Sequence, residues 1–328
     1  MTTGGSVWVE APARLHFGVL DLRGALGRRF GGIGAAVPNP SLLIEVAPSE
    51  TLEAHGADAE RARGYAKRFL GHYRLPLAGT ITVHRAIPAH AGLGSGTQLG
   101  LAVGRGLAEL HGIPTEAGAL ARIVGRGLRS AIGTWAFADG GFIVEGGRRP
   151  GTEQVAPLLA RYPLPAAWQC VVAVPAGAPG LSGEAEAQAF RTLPAPPAAE
   201  VERVAHLVLM QLLPALVEGD LPGFGGALTQ VQHITGGWFA PSQGGVFAPG
   251  PTAALIAALA RHGAQGVGQS SWGPTAYAIA ASETEAAELA AVAREFLDGA
   301  GTVFQGPFAS CGARLSRGPV HRPADGRW

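Results

Sequence analysis

The opening third of the chain alternates apolar and polar residues at the two-residue period of strands. Val7 to Ala11, Arg14 to Leu20, Leu42 to Val46 and Thr80 to Arg85 read as four strands, punctuated by Pro12, Gly18, Gly31-Gly32, Pro38 and Pro40. After a Gly-rich stretch at 92–96 the period becomes helical: Leu99, Val103, Leu107 and Leu110 share a face, and His111-Gly112 stops it. A second helix is expected over Thr115 to Leu128 and a strand over Phe142 to Glu145. The stretch 148–165 is rich in proline and poor in periodicity, so it predicts a domain boundary dividing the chain into 1–165 and 166–328. Beyond it the pattern predicts a buried strand at Gln169 to Val174 and helices near 200–218, 221–233 and 251–262. A strand follows at Thr275 to Ala281, then a helix near 283–297 and strands near 302–306 and 312–316. Leu207, Leu209, Met210, Leu213 and Leu216 read as a core stripe. Strands mixed with helices in both halves predict an α+β fold.

Composition adds exclusions. The chain has 328 residues, 47% of them hydrophobic, which suffices for a large core; its 50 Gly and 25 Pro stay short of low-complexity disorder. A formal charge of +1 supplies no global field toward nucleic acid or an anionic membrane, so neither is an expected partner and any bound anion must be held locally. Lys67 is the one lysine, which leaves no GxxxxGK[ST] phosphate loop and little scope for a Schiff base. Cys170 and Cys311 match neither a disulfide framework nor a zinc spacing. The start lacks a basic-then-apolar leader and no apolar run nears the ~18 residues of a membrane span, so a cytoplasmic location is expected.

The most informative segment is Ile87 to Thr97, IPAHAGLGSGT, between a strand and a helix. Such a loop can turn several amides toward one point where the helix N-terminus adds positive charge, so it reads either as a phosphate cradle or as a tight turn. The hydroxyls of Ser95 and Thr97 either cap the helix or bind phosphate or a metal.

Pro88 to Thr97 resembles the second motif of the GHMP superfamily of small-molecule kinases. Ala11-Pro12-Ala13-Arg14 with Gly18 and Asp21 is similar to their first motif, and Gly266 to Gly273 stands where their C-terminal Gly-rich motif is expected. The resemblance implies a two-domain α+β architecture whose C-terminal domain is ferredoxin-like. Three departures stand out: Gly96 replaces the loop's second serine, Arg129-Ser130-Ala131-Ile132-Gly133-Thr134 offers no carboxylate where the mevalonate-type kinases present an aspartate, and Gln269 and Trp272 replace small residues. This looks like a kinase scaffold without kinase chemistry.

Arg14 to Gly18 with Asp21, Arg29 to Gly34, Arg129 to Thr134, Gly140 to Gly147 and Gln269 to Pro274 resemble one branch of the superfamily, the β-ribofuranosylaminobenzene 5′-phosphate synthases of methanopterin biosynthesis. That resemblance implies condensation of phosphoribosyl diphosphate with 4-aminobenzoate, or 4-hydroxybenzoate, with loss of diphosphate and CO₂. It also implies Mg²⁺ and a homodimer. An ATP-dependent small-molecule kinase, with Asp139 standing in for the missing base, and a non-catalytic sugar-phosphate binder are the alternatives.

The expected roles follow. Arg14 and His16 share a strand face; Arg14 meets a phosphate or carboxylate, and His16 either joins it or is a satisfied core histidine. Asp21 binds Mg²⁺ or ribose, or shapes a turn with Gly24; Ser95 is the second expected metal ligand. Arg28 and Arg29 either close over the 5′-phosphate or are solvated. Gly92, Gly94, Ser95, Gly96 and Thr97 form the cradle, and His90 within it either touches diphosphate or only decorates the loop. Arg129, Ser130 and Thr134 hold the benzoate carboxylate. Ser270, Ser271 and Trp272 frame the aromatic acceptor, with Trp272 either a stacking wall or interdomain packing.

Overall fold

The computed structural model describes residues 5–177 and 180–318. Two long antiparallel strands open it, β1 (Val7–Asp21) and β2 (Phe30–Ala47). Sequence punctuation had split the first and left only the second half of the other. The ladder in fact runs on past Pro12, and residues 38–40 bulge out between Val37 and Ser41, so the prolines sit where no pairing amide is needed. β3 (Leu52–Gly56) and β4 (Gly79–Arg85) form a parallel pair joined by α1 (Ala59–His72). The sequence reading missed α1, although Ala62, Tyr65, Ala66, Phe69 and Leu70 fall at helical spacing and are the residues it buries.

Then come α2 (Ser95–Leu110), α3 (Ala117–Ile123), α4 (Ile132–Asp139), β5 (Phe142–Glu145) and β6 (Leu158–Tyr162). α3 stops well short of Leu128 because Gly125 and Gly127 adopt φ of 71° and 73°, outside helical space. The first sheet has seven strands in the order β11-β1-β2-β4-β3, with β5 on β2 and β6 on β5; β11 is Arg314–Arg317.

The second half contains β7 (Gln169–Pro175), α5 (Gly183–Thr192), α6 (Ala198–Leu207), α7 (Leu213–Glu218), α8 (Leu221–Gln243), α9 (Pro251–Arg261), β8 (Gly266–Gln269), β9 (Ala276–Ala280), α10 (Glu283–Leu297) and β10 (Gly301–Pro307). Its sheet runs β10-β7-β9-β8, antiparallel throughout, the split βαβ order of a ferredoxin-like sandwich. The 165/166 boundary falls between the sheets, but β11 returns to pair with β1, so the first layer is not one continuous segment.

One core stripe needs correction. Leu207, Leu212 and Leu216 are buried, whereas Leu209 and Met210 are 64% and 62% exposed. Val208–Leu212 is a wider, π-type turn joining α6 to α7, and the extra residue per turn carries Met210 off the buried face.

Candidate active site

The three sequence motifs meet at the N-terminus of α2. Gly94 occupies the N-cap at φ 78° and makes no side-chain cap, nor do the hydroxyls of Ser95 and Thr97. Its carbonyl takes the amides of Thr97 and Gln98 at 2.9 and 3.0 Å, and no acidic residue lies in the first turn. The helix end therefore presents amide dipole without an internal counter-charge.

The second Gly-rich loop holds the first in place. Ser270 Oγ donates to Gly92 O at 2.6 Å and accepts the His16 amide at 3.0 Å, while Thr275 Oγ1 donates to Ala91 O at 2.6 Å. Gly92, at φ 76°, lies so close to the Ser270 carbonyl that any side chain would collide with it. Arg14 joins the same knot: its amide donates to Leu93 O at 3.1 Å and its Nη1 to Gly92 O.

Above this knot lies a cavity of about 420 Å³ with two dissimilar walls. One carries Arg14, Arg61, Arg126, Arg129 and the α2 N-terminus; Glu186 is the one carboxylate lining the cavity among the described residues. The other is aromatic. Phe190 of α5 meets Trp272 edge-on at 5.6 Å and Phe239 of α8 at 5.9 Å, and Phe239 meets Trp272 at 4.8 Å. Arg129 links the walls, pairing with Glu186 at 3.1 Å and lying 5.9 Å from the Phe190 ring centre.

Burial shapes the charges. It pulls the Arg14 guanidinium down to about 10, partly offset by Glu186, so Arg14 stays cationic near neutrality. Burial, then the charge of Arg14, hold His16 at about 3, so its imidazole is neutral and adds no charge to the site. Glu145 accepts the Gly147 and Ala131 amides at 2.7 and 3.3 Å, and burial nevertheless pushes it to about 7; it fixes the 129–131 turn from behind.

Of the sequence-predicted residues, Arg14, His16, His90, Gly92, Gly94, Ser95, Gly96, Thr97, Arg129, Ser130, Ser271 and Trp272 line the cavity. Five do not. Asp21 Oδ1 accepts the amides of Arg23 and Gly24 at 2.6 and 2.8 Å and shapes that turn. Arg28 donates to Gly147 O at 3.0 Å and Arg29 to Leu22 O at 2.9 Å and Phe190 O at 3.3 Å, so both brace loops. Thr134 is buried behind Gly127, and Ser270 is the buried pin between the two Gly-rich loops.

Magnesium fares accordingly. The expected ligands Asp21 and Ser95 do not come together, and no group of three or more His, Cys, Asp or Glu able to hold an ion occurs among the described residues. Among the described residues the side chains do not form a ready-made set for a resident ion.

The sequence reading missed Arg61, Arg126, Glu186, Phe190 and Phe239. Arg61 followed from missing α1, whose periodicity was available; α5 has little apolar pattern, burying only Ala189, and gave no such signal.

Comparison with known proteins places this geometry. The GHMP kinases N terminal domain matches residues 60–147 and the GHMP kinases C terminal domain residues 212–299. The chain belongs to the GHMP kinase family. Curated relatives carry another name: the protein of Methanothermobacter thermautotrophicus called beta-ribofuranosylphenol 5'-phosphate synthase is 36% identical, over 83% of this chain and 88% of its own length. Its namesake in Archaeoglobus fulgidus is 35% identical, over 83% of this chain and 87% of its own length. Homoserine kinase from Cytophaga hutchinsonii superposes with a TM-score of 0.71 at 17% identity, covering 96% of this chain and 99% of its own. That likeness shows the fold. Among the described residues no helix is long and apolar enough to cross a membrane.

Proposed function

We propose that the chain is a decarboxylating phosphoribosyltransferase, which joins phosphoribosyl diphosphate to 4-hydroxybenzoate or 4-aminobenzoate and releases diphosphate and CO₂. The observation that carries this reading is the two-walled cavity: cationic residues and an uncapped helix end face an aromatic cluster. The names of the curated relatives support a C-riboside 5′-phosphate as product and favour the phenol form.

The chemistry fits the residues. As the C1–O bond of the sugar breaks, its electron pair goes to diphosphate, and the new negative charge is met by the α2 amides and Arg14. The ribosyl cation is captured by the ring carbon bearing the carboxylate, para to the hydroxyl or amine. Loss of CO₂ returns the C–C bonding pair to the ring, so aromaticity is restored and no proton needs to be removed. A cavity whose one carboxylate is paired to Arg129 suits such a reaction. Phe190, Phe239 and Trp272 receive the ring and shield the cation from water. Magnesium belongs to this reading as an ion carried in by the diphosphate, because it commonly binds through substrate phosphates. A homodimer is part of the same reading.

The kinase alternative needs a carboxylate to act as base; Asp139 does not line the cavity, and Glu186, which does, is paired to Arg129. The test is to supply phosphoribosyl diphosphate, Mg²⁺ and carboxyl-labelled 4-hydroxybenzoate or 4-aminobenzoate. Labelled CO₂ appearing in step with diphosphate supports the reading. ATP-dependent phosphorylation without CO₂ would overturn it.

A further inference from the structure

The loop's departure from the kinase pattern at Gly96 has a structural counterpart outside the loop. A Cβ built at Gly96 would stand 2.5 Å from Arg61 Nη2 and 2.7 Å from Arg126 Nη2. Two guanidinium groups, one from α1 and one from the turn after α3, therefore converge on the first turn of α2 at the spot a serine side chain would fill. Each is anchored from one side. Arg61 Nη1 pairs with Asp58 at 3.1 Å; Arg126 Nη2 donates to the Tyr65 hydroxyl and its guanidinium lies 5.2 Å from the Tyr65 ring centre. Arg126 Nε is buried and makes no hydrogen bond within the described protein. Both side chains line the cavity beside Ser95 and Thr97.

Two like charges this close to each other and to a positive helix end repel unless an anion lies between them. We propose that Arg61 and Arg126 form a clamp for a phosphate group of the sugar substrate, and that residue 96 is glycine to admit them. This rests on the phosphoribosyl reading and extends it. Guanidinium forks match phosphate oxygens bidentately, whereas a serine hydroxyl here would offer one weaker contact and displace both forks. The phosphate is either the diphosphate or the 5′-phosphate of the sugar, and these separate experimentally.

The decisive variant is Gly96→Ala. The position is within α2 and is not among the glycines of positive φ, so alanine suits the backbone. The atoms it would displace are the far ends of two flexible side chains, so the fold is retained while the clamp is pushed apart. Calorimetric binding of inorganic pyrophosphate and of ribose 5-phosphate is compared in the unaltered protein, Gly96→Ala, Arg61→Ala and Arg126→Gln, with thermal melting as the folding control. The expected result is a loss of about tenfold or more in affinity for one of the two ligands in all three variants, at unchanged or raised melting temperature for Gly96→Ala. Pyrophosphate being the one affected assigns the clamp to the leaving group; ribose 5-phosphate assigns it to the 5′ end. Unaltered affinity for both ligands in folded variants would overturn the clamp and leave the phosphoribosyl reading standing. Binding of neither ligand by the unaltered protein would overturn both.

Discussion

The two walls of the cavity differ in how they are built. The cationic wall is anchored on regular elements: β1 carries Arg14, α1 carries Arg61, α2 carries the amide end, Arg126 and Arg129 stand on the turn between α3 and α4, and a pinned loop of φ-specific glycines joins α2 to the second Gly-rich loop. The aromatic wall is assembled from three separate pieces, α5, the C-terminal part of α8 and the turn after β8, whose rings meet edge to edge while Gln269 ties β8 to Gln232 and Gln243 of α8. A charged wall must hold its dipoles where charge will develop, so rigidity is its function. An aromatic wall needs area and exclusion of water, which large rings in mutual contact provide.

Substitutions on each side should separate these tasks. Removing the central cation has the largest expected effect: Arg14→Gln should lower kcat by about 10²–10³, as loss of a preorganised charge partner does, at little change in KM for the benzoate. A KM effect on the benzoate alone would place Arg14 on the acceptor instead. Trp272→Leu should raise KM for the aromatic acid by about tenfold and leave pyrophosphate binding unchanged. Equal weakening of both ligands would mean the walls are not independent.

A smaller effect is expected at the bridge between them. Glu186→Gln should cost less than about tenfold in kcat, because decarboxylation removes the need for a base; a true general base would cost about 10²–10⁴. Kinetics at saturating substrate decide which.

The smallest effect concerns Glu145, behind the cationic wall. Its folded pKa of about 7 lies above the ordinary 4.5, so the folded protein binds more protons than the unfolded chain within that window. Its contribution to stability is therefore greatest on the acid side and falls as pH rises from 4.5 through about 7. His16 acts oppositely, held at about 3 against its ordinary 6.5, and costs stability as pH drops below that value. The difference in melting temperature between the protein and Glu145→Gln isolates the carboxyl: it should shift with pH across the window. A constant difference would show that Glu145 does not titrate there.

The contrast between the walls also explains what the sequence made legible. The cradle was readable because glycines, a strand before it and a helical period after it are local signals. The ferredoxin-like half was implied by the resemblance to the superfamily, and the strand order agrees with it. Arg61 was recoverable, since α1 repeats its buried residues at helical spacing, and only neglect of a charged stretch hid it. Phe190, Phe239 and Glu186 were not, because each acts through contacts formed across the fold from helices whose local pattern carries no mark of the cavity. Asp21 takes the turn-shaping one of its two readings, and Arg28 and Arg29 brace loops: their motif neighbours line the site, while their own polar atoms are spent on the turn and loops that support it.

The most direct test of the account is a crystal structure with inorganic pyrophosphate and 4-hydroxybenzoate bound together. The account predicts pyrophosphate oxygens on the amides of residues 94–96, with Arg14 in reach, and the benzoate ring against Trp272 and Phe190. Pyrophosphate among the aromatic side chains, or the ring seated at the helix end, would contradict it.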